Sequence, residues 1–309
     1  TLKQVGQKLL LLAPTGRAAK VFALNSGLAA YTIHRKIYRE RAYTGIDGSF
    51  SLNDNLHADT LFLVDESSMI SNGMGEGQTF GSGCLLDDLM QFVYSGRNCR
   101  IMFIGDNAQL PPVGESESPA MSKQMIEGYG MTVYQAHLDE VVRQGADSGI
   151  LYNATAIRLM ATRNEATMMP RIRLKGFADV EVVRGDELIE TLASSYSHAG
   201  VDDTIVITRS NKRANIYNIG IRNQVLGREE MLCSGDQLMV VKNNYSLTAA
   251  EKDPAAPPFI ANGDRCRVGR VRAIRELYGF SFAEARLVFP DYDDYEIETT
   301  VLLSTLTSE

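Results

Sequence analysis

The sequence lacks the residue patterns that hold metal ions or staple small secreted proteins. Its four cysteines are scattered and form no C-x-x-C pair. The four histidines are also too far apart in the sequence to form a local metal motif: His34, His57, His137 and His198. A chain of 309 residues can bury a sizeable core without a disulfide or a metal. We therefore predict reduced thiols and no zinc site.

Long apolar runs are absent as well. None approaches the ~18 residues that a membrane span requires, and no signal-peptide pattern is visible. We expect a cytoplasmic protein with no membrane partner. The net charge of −7, from 38 acidic and 31 basic residues, argues against a protein that simply coats nucleic acid. It leaves room for a local basic groove along a strand.

Short apolar runs alternate with helical segments in the first half of the chain. Residues 9–13, 61–64 and 100–104 read as buried strands, and helical spacing follows residue 16 and residue 84. This alternation predicts a mainly parallel α/β sheet. Between its first two strands, residues 35–54 read as a charged helix end that runs into a polar loop.

The second half of the chain changes in texture. A helix is expected around residues 149–163 and a strand at residues 204–208. From about Cys233 onward, short β-type runs are separated by Gly, Asn and Pro turns, which predicts a small all-β module.

The apolar run at residues 61–64 ends in Asp65 and Glu66. A strand that delivers adjacent carboxylates to its carboxyl end is the Walker B arrangement of nucleotide hydrolases. Asp65 would hold Mg²⁺ through water, because this ion keeps most of its hydration shell. Glu66 would accept a proton from the attacking water. The alternative is a solvated acidic turn.

The run at residues 100–104 ends in Gly105 and Asp106, and Gln109 follows just before Pro111 and Pro112. A glutamine amide can donate to a γ-phosphate oxygen and accept from water. Prolines restrict the backbone, so they would transmit a small shift of this segment. The alternative is a proline-stiffened loop with no ligand.

Several motifs together resemble the RecD-like branch of superfamily 1 helicases, whose members unwind DNA in the 5′→3′ direction. The first five occur in helicase order: APTGRAAK (13–20), TIHR (32–35), LVDESSM (63–69), GDNAQLPPV (105–113) and VVRQ (141–144). TRSNKRAN (208–215) resembles the start of the second motor domain. GDQLMVVKNNY (235–245) and ANGDRCRV (261–268) resemble a small β-barrel inserted in it.

The resemblance implies RecA-like P-loop NTPase domains with an inserted β-barrel module. It divides the chain into a first motor domain at residues 1–145, part of a second at residues 146–230 and the barrel at residues 231–309. ATP and Mg²⁺ would be the cofactors and single-stranded DNA the partner. Nuclease or recombination subunits are further partners that it implies, in DNA repair and recombination.

The resemblance also assigns roles to residues. Arg143 would reach the γ-phosphate as an arginine finger, although a surface ion pair with Asp139 or Glu140 is the alternative. The implied contacts to the DNA strand come from three backbone or hydroxyl groups, a lysine and an imidazole in the first domain, and from two polar residues in the second: Thr15, Gly16, Thr32, Lys20, His34, Asn211 and Lys212. For APTGRAAK the alternative is close packing of small residues, and for His34 a capping or core role.

One departure from the family pattern concerns the P-loop, which reads G-x-x-x-x-G-K-[ST]. The chain contains no Gly-Lys dipeptide. In the family this loop lies one helix upstream of APTGRAAK, and TLKQVGQK at residues 1–8 reads as the end of a helix already under way. We therefore expect that an upstream segment has been removed, that late motifs of the second domain are also missing, and that this fragment does not hydrolyse ATP.

The sequence thus predicts an ATP-dependent DNA helicase or translocase motor. Proteins that it resembles are often named as the alpha subunit of exodeoxyribonuclease V. We see no nuclease carboxylate-lysine cluster in this sequence. Two alternatives remain open: an RNA helicase of the same superfamily, and a non-catalytic DNA-binding subunit of a nuclease complex.

Overall fold

A computed structural model describes residues 6–40, 50–73, 80–138, 141, 145, 147–162, 169–241, 244, 256, 260 and 263–306. The chain divides into two compact units, Thr1–Glu140 with Ala261–Asp264, and Val141–Ile260 with Arg265–Glu309. The second unit takes in most of the residues predicted to form two further domains, so the division into three remains a prediction. The helix end expected at residues 1–8 falls mostly outside the described residues.

The first unit is built on a parallel sheet. Along the chain its elements are β1 (Lys8–Ala13), α1 (Gly16–Ser26), β2 (Ala30–Thr32), α2 (Ile33–Ile37), β3 (Tyr38–Glu40), β4 (Phe50–Leu52), β5 (Thr60–Val64), α3 (Leu85–Ser95), β6 (Arg100–Phe103) and α4 (Lys123–Glu127). The sheet has the order β2-β1-β5-β6, and each neighbouring pair is parallel. The three strands predicted from apolar runs are confirmed, as is the α/β class of this unit.

The core of the first unit joins this sheet to α3. Alternate residues of β5, Phe62 and Val64, are fully buried beside Leu12 of β1. The helix buries residues spaced by three or four positions, as expected for one apolar face: Leu86, Leu89, Met90, Phe92 and Val93. Burying such a side chain contributes about 1.5–3 kcal/mol, so this packing holds the strand ends in place.

The helix predicted after residue 16 is confirmed as α1, and local signals define both of its ends. The Thr15 side chain accepts a hydrogen bond from the Ala18 amide at 3.2 Å, which caps the first turn. Gly27 ends the helix with a φ of 65°, and its amide donates to the Ala23 carbonyl. A left-handed glycine of this kind is a frequent helix stop, because it has no Cβ to clash.

Within residues 35–54 the predicted helix end is confirmed, because α2 runs to Ile37, but the polar loop predicted after it is wrong in its described parts. Strands β3 and β4 form an antiparallel pair, with Tyr38 opposite Leu52. The cause is tertiary packing, because Tyr38 is buried in the core and Phe50 packs against it. Phe50 also stacks on Phe80, with ring centroids 4.6 Å apart. The segment between the strands, residues 41–49, lies outside the described residues.

The second unit contains α5 (Gly149–Thr162), α6 (Leu188–His198), α7 (Asn211–Gly220), a π-helical turn (Ile221–Val225), β7 (Gln237–Met239), β8 (Arg265–Leu277), β9 (Phe280–Phe289) and β10 (Tyr295–Leu302). The strands form one antiparallel sheet in the order β10-β9-β8-β7. The late β-type runs are therefore confirmed as strands. Closure of this sheet into a barrel remains a prediction.

The strand predicted at residues 204–208 is wrong. The segment is not assigned to a strand, and within the described ranges no strand pairs with it. Its alternating isoleucines stay in solvent, with Ile205 82% and Ile207 86% exposed. An apolar, β-branched run becomes a strand only when another strand accepts its backbone hydrogen bonds and covers its side chains.

A buried carboxylate ties the π-helical turn to the sheet of the second unit. Asp236, 4% exposed, accepts hydrogen bonds from Arg222 and Arg228 at 2.9 Å and from the Cys233 amide at 2.8 Å. Burial alone raises the pKa of Asp236, but these donors outweigh it and hold the pKa below its ordinary value. The sequence analysis did not anticipate this cluster.

All four cysteines are free thiols. Among the helices of the described ranges, none is long and apolar enough to cross a membrane.

Candidate nucleotide and nucleic-acid site

The predicted site residues of the first unit gather at one edge of the parallel sheet. Strands β1, β5 and β6 are neighbours, so the segments that follow them start side by side. Backbone hydrogen bonds continue past the strand ends: the Asp65 amide donates to Leu12 at 2.9 Å, and the Ile104 amide to Val64 at 2.8 Å. In open α/β sheets, ligands bind at this carboxyl edge.

Asp65 and Glu66 follow β5 directly, and both are partly buried. One carboxylate oxygen of Asp65 accepts a hydrogen bond from the Glu66 amide at 3.0 Å. Glu66 has a φ of 51°, in the left-handed region that residues with a side chain seldom adopt. Such a conformation costs about 1–3 kcal/mol and persists only where the surrounding structure enforces it.

Gly105 lets the segment after β6 approach the turn after Glu66 closely. The Ser67 amide donates to the Ile104 carbonyl at 2.9 Å, which starts a 3₁₀ turn at Ser67–Met69. A Cβ on Gly105 would lie 2.9 Å from the Ser68 nitrogen and 3.0 Å from the Met121 sulfur. Only glycine fits here, so this residue fixes the spacing between the two loops.

Asp106 shapes the loop that presents Gln109. Its carboxylate accepts a hydrogen bond from the Ala108 amide at 2.9 Å, and its carbonyl accepts one from the Gln109 amide at 3.1 Å. These bonds form an Asx-type turn. The Gln109 side chain is exposed, at the same sheet edge as Glu66. Its predicted contact with a γ-phosphate remains a prediction.

The carboxylates fit the needs of a hydrated Mg²⁺ ion. Among the described residues no protein partner is assigned to the second oxygen of Asp65 or to the Glu66 carboxylate. Within the same part of the chain, no group of three metal-ligating side chains occurs. Mg²⁺ usually binds through one or two carboxylates, with water and phosphate oxygens as the other ligands. Asp65 is the residue that would hold it.

The residues of APTGRAAK stand at the start of α1. Thr15 accepts from Ala18, but its hydroxyl proton remains a donor. The Gly16 amide is among the first helical amides, which have no partner inside the helix. Lys20 lies one turn further along and is partly buried. This helix start can bind a phosphate. Its contact with single-stranded DNA remains a prediction.

Thr32 and His34 are more engaged than the sequence indicates. Thr32 is 8% exposed and caps α2 by accepting from the Arg35 amide. The His34 ring packs edge-on against Phe80, with centroids 5.3 Å apart, and lies 5.7 Å from the Tyr38 ring. Burial lowers the pKa of His34, so the imidazole is neutral at pH 7. This packing fits the core role that the sequence analysis gave as the alternative for His34. Contact of Thr32 and His34 with a DNA strand remains a prediction.

The remaining predicted site residues fall outside the described part of the first unit. Arg143, with its possible partners Asp139 and Glu140, lies outside the described residues. Asn211 and Lys212 belong to the second unit, as the first two residues of α7, and are exposed. Their proposed strand contacts remain predictions.

Two carboxylates that the sequence analysis missed brace the loops around this edge. Asp88, 3% exposed, accepts from the Tyr38 hydroxyl at 2.6 Å and from the Ser82 amide at 3.0 Å. Glu115 accepts from the loop that follows Glu66. Asp88 had a sequence signal, because it interrupts the apolar face of α3, but Glu115 had none.

A parallel α/β sheet that presents paired carboxylates and a glutamine at adjacent strand ends has the layout of a nucleoside triphosphatase. Residues 1–171, more than half of the chain, match the family described as AAA domain, and the chain belongs to this family. Membership indicates an ATP-dependent, helicase-type motor domain and implies nucleotide binding, usually with Mg²⁺.

A similar curated protein is the uncharacterized protein MJ1519 of Methanocaldococcus jannaschii. It is 35% identical over 119 residues, which cover 35% of this chain. The alignment covers 9% of that protein, so the chain spans less than a tenth of the relative's length.

Proposed function

We propose that this chain is part of the motor of an ATP-dependent DNA helicase or translocase of the RecD-like branch of superfamily 1. The observation that carries the proposal is the placement of Asp65, Glu66 and the Gln109 loop after neighbouring parallel strands. The five ordered motifs support the RecD-like branch over other helicase-type relatives.

The chemistry assigned to these residues is ATP hydrolysis. Mg²⁺, when bound, neutralises charge on the β- and γ-phosphates. Asp65 would hold the ion through water with its carboxylate. Glu66 orients the attacking water and accepts one of its protons as the water oxygen bonds to the γ-phosphorus, and the bond from that phosphorus to the β–γ bridging oxygen breaks and releases ADP. Gln109 hydrogen-bonds to the γ-phosphate and so distinguishes ATP from ADP.

We assign the binding of single-stranded DNA to the start of α1. The Gly16 amide and the Thr15 hydroxyl would bind a backbone phosphate, and Lys20 would add positive charge nearby. Contacts of this type position a strand without reading its bases. They therefore support translocation on single-stranded DNA of any sequence.

The test is ATP hydrolysis by the full-length product of the gene, with and without single-stranded DNA. Strong stimulation by DNA is the expected result. Unwinding of DNA duplexes carrying a 5′ tail, compared with 3′-tailed duplexes and with RNA duplexes, then tests polarity and substrate. Preference for RNA would replace the DNA assignment with the RNA helicase alternative.

A second candidate is a non-catalytic DNA-binding subunit of a nuclease complex. The observation that favours it is the absence of any Gly-Lys dipeptide, and hence of a P-loop, from these 309 residues. DNA binding by the full-length product without any ATP hydrolysis would support this candidate and contradict the motor.

A further inference from the structure

Glu115 links two loops that begin at different strands. One is the acidic loop, residues 65–73, which follows β5. The other is the glutamine loop, residues 105–118, which follows β6. One carboxylate oxygen of Glu115 accepts hydrogen bonds from the Asn72 amide at 2.9 Å, the Gly73 amide at 3.0 Å and the Ser71 hydroxyl.

The link is placed where it can control distance between the loops. Glu115 lies six residues after Gln109, beyond Pro111 and Pro112, whose rings stiffen the backbone between them. The Glu115 amide also donates to the Pro112 carbonyl at 3.0 Å, which closes a turn at this end of the loop. A displacement of the carboxylate is therefore passed to Gln109 rather than absorbed.

A second, buried bond joins the same two loops. The Ser118 hydroxyl donates to the Ser68 carbonyl at 2.9 Å, and Ser68 is fully buried. Together with the close approach at Gly105, this joins the start of the acidic loop to both ends of the glutamine loop. Glu115 ties the other end of the acidic loop, residues 71–73, to the glutamine loop.

We propose that Glu115 is a positioning residue that fastens the glutamine loop to the acidic loop, so that Gln109 and Glu66 keep a fixed separation. The inference rests on the proposed function for its consequence in turnover, but not for the tie itself. A carboxylate oxygen shared by three donors is a strong, charge-assisted anchor. Removing it leaves the Asn72 amide and the Ser71 hydroxyl without this acceptor, and leaves the Gly73 amide with only the Ser71 hydroxyl oxygen.

The tie can be tested on this 309-residue chain by hydrogen–deuterium exchange. In Glu115→Ala, the Asn72 amide should exchange about tenfold faster because it loses its acceptor, and the Gly73 amide should also exchange faster, although the Ser71 hydroxyl oxygen still accepts from it. The decisive readout is the other loop: the Ala108 and Gln109 amides, which Glu115 does not contact, should exchange at least about threefold faster. Glu115→Gln keeps an acceptor oxygen and should restore most of the protection.

Glu117→Ala is the matched control, because Glu117 is an exposed glutamate on the same loop. It should leave both peptides unchanged. Faster exchange confined to residues 71–73 would show that Glu115 only caps a local turn and would overturn the proposal. Faster exchange throughout β1 and α3 would show a general loss of stability, which overturns it equally, and so would unchanged exchange.

The consequence for catalysis is tested in the full-length product. Glu115→Ala should lower kcat for ATP about tenfold and leave KM within about twofold, because misplaced catalytic groups slow the reaction more than they weaken binding. Glu115→Gln should recover most of kcat. A rise in KM alone would contradict the positioning role. If the wild-type product does not hydrolyse ATP, the proposed function fails, while the exchange experiment still decides whether the tie exists.

Discussion

Glu66 combines a carboxylate at a strand end with a left-handed backbone, and both features belong to the chemistry proposed for it. A sequence can indicate the first, because an apolar strand followed by two acidic residues is a local pattern. It cannot indicate the second, because the Ser67 bond to Ile104 and the packing of Gly105 enforce that backbone from another strand. The conformation was therefore visible only in the structure.

Glu66→Gln in the full-length product should abolish ATP hydrolysis and leave nucleotide affinity within about threefold. The amide keeps the size and polarity of the side chain but cannot accept a proton from water. ATP hydrolysis is measured from the release of phosphate, and nucleotide affinity is measured by titration with a fluorescent ATP analogue. Glu117→Gln serves as the control and should retain full activity. Loss of nucleotide binding in Glu66→Gln would point to a structural role instead.

Gly105→Ala should lower the free energy of unfolding of the first unit by about 1–3 kcal/mol, because the added methyl group overlaps the turn after Glu66. Urea denaturation followed by circular dichroism measures the loss. The control is Gly185→Ala, since a Cβ at Gly185 would meet no atom within 4 Å. Equal stability of the two variants would show that the close approach at Gly105 is relaxed in solution.

The elements of the first unit were predictable to different degrees. Strands β1, β5 and β6 have continuous apolar runs, and α1 has both a threonine cap and a glycine stop, so local patterns suffice for them. The β3–β4 hairpin was missed because its strands are three residues long and are held by contacts with distant residues. One of these contacts is the bond from Tyr38 to Asp88, fifty positions away.

The hydrogen bond from Tyr38 to Asp88 is expected to stabilise the β3–β4 hairpin. Asp88→Ala should destabilise the first unit by about 2–3 kcal/mol, because the Tyr38 hydroxyl and the Ser82 amide lose a buried acceptor. Tyr38→Phe removes one donor only and should cost about 1 kcal/mol. Both are measured by urea denaturation. If Tyr38→Phe proved the more harmful of the two, Asp88 would not be the centre of this cluster.

The residues of the candidate site also differ in how far the sequence could predict their positions. The placement of Asp65, Glu66 and Gln109 at one sheet edge was predictable, because the ends of parallel strands share that edge, while their roles remain predictions. The contact that Glu115 makes was not predictable, because nothing in its local sequence shows which loop it faces. The strand expected at residues 204–208 failed for the opposite reason, since its pattern is strong but its described surroundings supply no strand to pair with it.

At the level of the complete chain, the two compact units should unfold in separate calorimetric transitions. Asp236→Asn should lower the free energy of unfolding of the second unit alone, by about 3 kcal/mol, because Arg222 and Arg228 lose a buried partner. Asp88→Ala should lower the free energy of unfolding of the first unit alone. The control is Asp186→Asn, whose exposed pair with Arg184 should contribute nothing measurable. A single shared transition would show that the units unfold together.

The Asp236 effect should depend on pH in a defined direction. Its folded pKa lies below the ordinary value, so its contribution is complete above the ordinary carboxyl pKa of about 4. The contribution is lost as the pH falls through the lowered folded pKa. The difference in stability between the wild type and Asp236→Asn should therefore narrow below about pH 4. A difference that stayed constant into strong acid would exclude this linkage.

The unpaired segment with Ile205 and Ile207 has a consequence for handling the protein. Apolar, β-branched side chains on an open backbone are a template for pairing between molecules. Concentrated solutions of this chain should therefore scatter more light with time, through association of one molecule's segment with that of another. Ile205→Lys should slow this growth, since like charges would meet in each new pair. The exposure of this unpaired segment is therefore expected to limit the concentration at which the protein stays dispersed.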